Sequence, residues 1–461
     1  MGFLVRTLLL LLLLTPDVVL AATYYVRTDG NNSNTGLADE AGSAWLTIQY
    51  AANTVSSGDT VYVQAGTYPE KVTVQNSGTS GAHITYTADG EVTLGGFLVS
   101  GAYVDVSGFN LDGTNVGTYQ GCIHVNEGSN YCKFDDMSVT GKGDTIAVGF
   151  GGVYTYGEHC TFNKITVTNP NYHSFTIVGN GTTVTNCTVN DVNGWDVFRI
   201  IASDVRVAGC TITASNLHAN PNHGDMFQSF NVNGGVSQNV VIEGNRVLGG
   251  THYQIGNFED QLLNQSVSYW TFQNNIFIGV TNALNLFTDH FSFYNNTFYR
   301  CGATSNWVII WNGSDTKGYA TNTRVMNNLF VECGTASLAT KGWYGGITQA
   351  GLVTDYNLVV GTGAGTTKTG FNEPHGLNGV DPLFVDPANG IYSLQASSPA
   401  KETGVLIEGF SADILGVARP QGALWDIGAY EYRTVPNISN FGTGAITMTP
   451  NNSGAIAVTP Y

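Results

Sequence analysis

The stretch FQNNIFIG, residues 272–279, decides the fold, because its pattern returns in IEGNRVLG from 242, FYNNTFYR from 293 and VMNNLFVE from 325. An apolar residue opens each window, asparagine holds the fourth place, and an apolar residue holds the sixth. Working outward, VSGFNLDG (from 106), FDDMSVTG (134), FNKITVTN (162), VTNCTVND (184) and VAGCTITA (207) precede the set, and VTDYNLVV (353) follows it. Short runs rich in β-branched and aromatic residues, punctuated by Gly, Asn and Asp, are strands and turns. A repeat of this kind overrides a domain count taken from length. One coil per repeat, each burying its neighbour's edge, predicts an all-β protein: a right-handed parallel β-helix of about ten or more coils.

The fourth-place residues Asn245, Asn275, Asn296 and Asn328 then fall in one line, where stacked amides hydrogen-bond along the axis. Cysteines respect the same spacing. Cys132 and Cys160, Cys187 and Cys210, and Cys301 and Cys333 each share a column in adjacent coils, while Cys122 is left over. Parallel strands lie about 4.8 Å apart, within the Cα separation a disulfide accepts. Disulfides and stacked thiols are both open from the sequence.

The ends of the chain differ from its middle. MGFLVRTLLLLLLLTPDVVLAA, residues 1–22, reads as a cleaved secretory leader, with one early arginine, a leucine run and small residues at the end. This places the protein outside the cytoplasm, extracellular or periplasmic. No later segment is long and apolar enough to span a membrane. Residues 23–95 read as a cap and first coils, with WLTIQYAANTVSSGD (45–59) as an amphipathic helix over an otherwise open sheet end. The β-helix proper occupies 96–370, a closing module 371–433, and a nearly uncharged tail 434–461.

YYVRTDGNNSNTG and LTIQYAANTVSSGDTVYVQAGTYPEKVTV, with the repeats after them, resemble the secreted right-handed β-helix superfamily that includes pectate, alginate and chondroitin lyases. The resemblance covers roughly residues 23–370 and implies a polysaccharide-active protein; non-catalytic β-helix proteins share the motif, so it does not fix an activity. VDPLFVDPANGIYSLQASSPAKETG with ILGVARPQGALWDIGAYEY resembles a C-terminal module of exported bacterial β-helix proteins, which implies a capping role.

Only 11% of the residues are charged, so ionisable residues within the repeats stand out. A second set of strands aligns HSFT (173), DVFR (196), DMFQ (225), YQIG (253) and NALN (282). The third place is apolar, so alternation sends the fourth, Thr176, Arg199, Gln228, Gly256 and Asn285, outward. The first place holds His173, Asp196, Asp225, Tyr253 and Asn282. Asp196, Arg199, His223 and Asp225 are the candidate catalytic residues, and His173, Gln228, Tyr253 and Trp311 the candidate substrate-binding ones. Trp195 and Phe258 are further candidate sugar platforms.

Two chemistries fit. In β-elimination of a uronic-acid polymer, a cation neutralises the sugar carboxylate while a base takes the adjacent proton. Asp196, Asp225, Glu259 and Asp260 would supply oxygen ligands for calcium, and His223 or Tyr253 would be the base. In glycoside hydrolysis, Asp196 and Asp225 would act as the carboxylate pair. A non-catalytic surface or glycan-binding role is the third reading. A formal charge of −17 argues against nucleic-acid partners. No nucleotide or phosphate-loop motif calls for an organic cofactor, and a monomer acting on an extracellular polysaccharide is expected.

Overall fold

The repeated windows fold as their apolar columns predict. Val106 pairs with Phe134, Phe134 with Phe162, Ile242 with Phe272, Phe272 with Phe293 and Phe293 with Val325, always one coil on. Their rings stack inside, with Phe134 and Phe162 centroids 5.1 Å apart and Phe272 and Phe293 5.3 Å apart. The computed structural model describes residues 21–433 except 115, 118–119, 142–150, 171, 191–194, 215–223, 232–234, 251–253, 304–307, 315–316, 335–343, 347–349, 362–366 and 368–371. The leader, apart from its last two residues, and the tail therefore lie outside the described residues. One continuous sheet runs the length of the solenoid, and its strands fall in three parallel stacks.

The asparagine line is a hydrogen-bonded ladder. Nδ2 of Asn245, Asn275 and Asn296 each donates at 3.0 Å to Oδ1 of the next ladder asparagine, and Asn328 does the same to Asn357. Asn357 is a rung that the last window misplaced. Val325 pairs with Thr354, not Val353, because the apolar Val353 made the wrong alignment look better while the buried asparagine sets the register. Glu373 closes the ladder, accepting from Asn357 Nδ2 at 2.9 Å and from its backbone N–H at 3.1 Å. At the other end the same place is held by Cys210, whose N–H donates to Asn245 Oδ1.

All seven cysteines are buried free thiols, which decides against the disulfides. The reason is local: Cys187, Cys301 and Cys333 aim Sγ at the carbonyls of Phe162, Phe277 and Phe298 in the preceding coil, at 3.3–3.7 Å.

The capping helix is Ile48–Thr54, with the Thr47 hydroxyl accepting from the Tyr50 N–H and Ile48, Ala51 and Ala52 buried. Its first amides, of Ile48 and Gln49, donate to Glu70 at 2.9 and 3.0 Å, so a carboxylate satisfies donors that a helix start leaves unpaired. The C-terminal module lies along the flank. Phe384, Tyr392, Leu394, Ala400 and Ile427 pack with Ile276, Tyr299, Leu329 and Leu358 of the third stack. Asparagines at left-handed turn positions hold it there: Asn295 donates to the Asp426 and Gly428 carbonyls and Asn327 to that of Val405. Among the described residues, no helix is long and apolar enough to cross a membrane.

Candidate functional site

The polar patch sits on the first stack, on strands Phe175–Ile177, Phe198–Ile200, Asp225–Phe230, Gln254–Glu259 and Asn282–Phe287. Phe175, Phe198 and Phe227 pair in register and stack inward at 4.9 and 5.5 Å, so the next residue on each strand, Thr176, Arg199 and Gln228, turns outward. The fourth strand departs from the expected alignment by one residue. Phe227 pairs with Gly256, and Gln228 with Asn257. Gly256 is the physical cause, since it offers no side chain to the inward column. A Cβ there would meet the Phe258 ring and the Phe227 carbonyl, both at 2.7 Å. Gln254, not Tyr253, therefore takes the first place beside Asp225 and Asn282.

Arg199 is the hub. Its Nε donates to Asp196 Oδ2 at 3.1 Å and to Gln228 Oε1 at 3.0 Å, and its Nη2 lies 2.9 Å from Asp196 Oδ2. Phe230 packs under the guanidinium, 5.2 Å from ring centre to Cζ. His173 joins from the preceding coil, with Nε2 3.6 Å from Asp196 Oδ2 and Nδ1 against Thr176 Oγ1 at 3.1 Å. Asp196 Oδ1 accepts from the Asp225 N–H at 3.4 Å, and Gln228 Nε2 donates to Asp225 Oδ2 at 3.1 Å. Asp225 Oδ1 is buried with no hydrogen-bond partner among the described residues.

Burial corrects the picture of an open carboxylate groove. Asp196, Asp225, His173 and Gln228 are all buried, and the Arg199 side chain keeps 19% of its surface. The Asp225 carboxyl is pushed well above the usual range, chiefly by burial and then by the charge of Asp196; Gln228 and Arg199 oppose this only in part. The carboxyl is thereby biased toward its uncharged form beside an ion pair, and its Oδ2 already accepts from Gln228.

Glu259 and Asp260 serve other partners. Glu259 binds Lys317 Nζ at 2.7 Å and Gln261 Nε2 at 2.8 Å. Burial raises its pKa, but Lys317, Gln261 and Asn257 together outweigh that and hold it below the ordinary value. Asp260 accepts from Asn231 Nδ2 and the Gln265 N–H. Calcium wants six to eight oxygens, and Asp196 is already committed to a guanidinium. Among the described residues, no three His, Cys, Asp or Glu are grouped to hold a metal.

His223 and Tyr253 lie outside the described residues, and only the backbone of Trp311 is described. Phe258 is no sugar platform: it is fully buried between Trp270 and Phe291. A residue the sequence reading missed is Tyr172. Half-exposed, its ring lies tilted against His173, centres 3.9 Å apart, and against the half-exposed Trp195 at 4.6 Å, giving an aromatic wall beside the hub. Its position directly before His173, matching Trp195 directly before Asp196, was the available signal.

No family model matches the chain, and no curated protein does. Solved structures do. The chain is similar to pectate lyase Pel9A, with a TM-score of 0.52 and 19% identity over 89% of this chain and 96% of that one. It shares the parallel β-helix fold. The PL6 family alginate lyase AlyGC matches with a TM-score of 0.48 and 13% identity, over 85% of this chain and 60% of its own. A rhamnogalacturonan lyase matches with a TM-score of 0.46 and 16% identity, over 66% and 87%. These structural neighbours are polysaccharide lyases, and identities this low carry the fold alone.

Proposed function

We propose that the protein is an exported polysaccharide lyase that cleaves a uronic-acid-containing glycan by β-elimination on the first stack. The observation that carries this reading is the part-exposed guanidinium of Arg199, clamped between Asp196 and Gln228 beside the partnerless oxygen of Asp225. Asp196 balances Arg199, and the raised pKa of Asp225 favours its uncharged form. The site therefore admits a carboxylate that two ionised aspartates would repel.

In the reaction, the part-exposed guanidinium of Arg199 hydrogen-bonds the uronate carboxylate and draws charge from the ring carbon beside it, while the buried Asp225 holds Gln228 in place against Arg199. A base, His223 or Tyr253, takes the proton from that carbon. Its electron pair forms the ring double bond as the bond to the glycosidic oxygen breaks, and the departing oxygen collects a proton from water or from the protonated base. Tyr172 and Trp195 flank the chain of sugars. Hydrolysis is favoured less because Asp196, with no exposed surface, is occupied by Arg199 and the Asp225 amide.

The test is incubation with polygalacturonate, alginate and rhamnogalacturonan, following the unsaturated chromophore and new reducing ends, with and without chelator. Both signals should rise together on one polymer, survive the chelator, and fall at least about 100-fold in Arg199→Lys, which keeps the charge but loses the forked geometry. Reducing ends without the chromophore would replace this reading with hydrolysis, and neither signal on any acidic polymer would leave a non-catalytic glycan-binding protein.

A further inference from the structure

The second stack carries an exposed groove of about 340 Å³ unrelated to the Arg199 site. Two columns line it over four coils. Asn239, Tyr269, His290 and Asn322 form one, all in left-handed backbone with φ between 51° and 57°. Val241, Thr271, Ser292 and Arg324 form the other, paired in register. The columns span roughly 14 Å at the parallel-strand spacing.

Asparagine enters the left-handed region at little cost, but for a bulky side chain it is a strained choice. The same turn column holds Tyr103, Tyr131 and His159, ring on ring, in earlier coils and Gly181, Asp204 and Gly351 in others, so the fold accepts an aromatic at this turn without requiring one. Tyr269 nonetheless presents its ring, 47% exposed, stacked 4.5 Å from His290 at 24°.

The floor of the groove is fixed from below. Asp289, buried at the turn, accepts from His290 Nδ1 at 2.6 Å, from Asn322 Nδ2 at 2.8 Å and from the Thr321 hydroxyl. Burial raises its pKa, but these three partners outweigh that and keep it ionised below the usual range. One carboxylate thereby orients both the ring and the amide. Arg324 is exposed and has no ion pair among the described residues, whereas Arg27, Arg199, Arg206, Arg300 and Arg419 each have one. Arg324 and the exposed Tyr269 ring line the same groove, two coils apart.

The geometry points to a second glycan-binding site on this face, one that takes a carboxylated sugar unit: the ring stacks on Tyr269, the carboxylate pairs with Arg324, and Asn239, Asn322, Thr271 and Ser292 meet the hydroxyls. The third stack is covered by the C-terminal module, which leaves this face open to a polymer running along the solenoid. Such a site would hold a long substrate without contributing to bond cleavage. The acidic class of sugar rests on the proposed function; the groove does not.

Electrophoresis of the full chain through gels containing polygalacturonate, alginate or an uncharged β-glucan separates the possibilities, alongside turnover of a short oligosaccharide. An acidic polymer should retard the wild-type protein. Tyr269→Asn and Arg324→Gln should each weaken that retardation about fivefold, the scale of one aromatic or charge-assisted contact. Oligosaccharide turnover and the unfolding temperature should hold. Failure of turnover alone would sink the lyase reading and leave this site standing. Retardation unchanged in both variants, absent for every acidic polymer, or equally strong on the uncharged glucan would overturn it. So would a lowered unfolding temperature for Tyr269→Asn with retardation intact, which would make the stacked rings a structural device.

Discussion

Replacing Asn296 with alanine removes a middle rung of the ladder, and the cost follows from its bonds. Oδ1 accepts from the N–H and Nδ2 of Asn275, both at 3.0 Å, while Nδ2 donates to the Phe272 carbonyl at 2.8 Å and to Asn328 Oδ1 at 3.0 Å. After truncation, Asn275 Nδ2 keeps the Ile242 carbonyl and Asn328 Oδ1 keeps the Asn296 N–H. The Asn275 N–H keeps nothing. A buried donor left unpaired costs ~1–3 kcal/mol, and each of the other lost bonds ~0.5–1.5 kcal/mol. The sum is about 2.5–7.5 kcal/mol, with the lower half expected if water enters the vacated space. Coils of a solenoid can open separately, so urea unfolding should be read together with hydrogen exchange at the Asn275 amide. Both should change, the amide most of all. A loss under about 1 kcal/mol with that amide still protected would refute the view that side-chain amides hold the coils in register.

Other expectations follow from charge and redox state. Asp225→Asn, which keeps an uncharged group able to hydrogen-bond Gln228, should hold turnover within about tenfold while leaving the fold at least as stable near neutral pH. The raised pKa of Asp225 means its stabilising protonated form is complete only below the ordinary carboxylate range and is drained as pH rises; a variant that unfolds more readily at pH 7 would contradict this. Glu373, pushed from 4.5 up to about 7 by burial, should make stability fall as pH rises from about 4.5 to 7. Glu373→Gln should flatten unfolding temperature across that window, and an unchanged slope would show that another group is responsible. Alkylation of the protein unfolded without reductant should label all seven cysteines, and a single unlabelled pair detected by mass would restore a disulfide.

The fold was legible because a solenoid repeats its contacts. Each inward position meets its equivalent one coil away, so one apolar column and one asparagine column, Asn245 to Asn328, write the register into the sequence. Legibility failed where a position broke its column for a local reason. Gly256 surrendered its inward place to the ring of Phe258, which slid the expected alignment onto Ile255 and promoted Tyr253 in place of Gln254. Val353 drew the last window off the true rung at Asn357.

The site was legible only as a set of residues. Sequence spacing brought Asp196, Arg199, Asp225 and Gln228 onto adjacent strands, and alternation turned Arg199 and Gln228 outward. Tertiary structure alone decided which were buried. His173, Asp196 and Asp225 stand at strand starts, where the turn sets direction and period-two parity gives no answer. That turning buried Asp225 beside Asp196, and desolvation with a neighbouring charge, not residue identity, raised its pKa. Glu259 and Asp260 show the converse: carboxylates near the site in sequence, drawn away by Lys317 and Asn231. Composition and period determine where each strand lies, whereas the protonation and partners of a side chain depend on three-dimensional neighbours that no column contains.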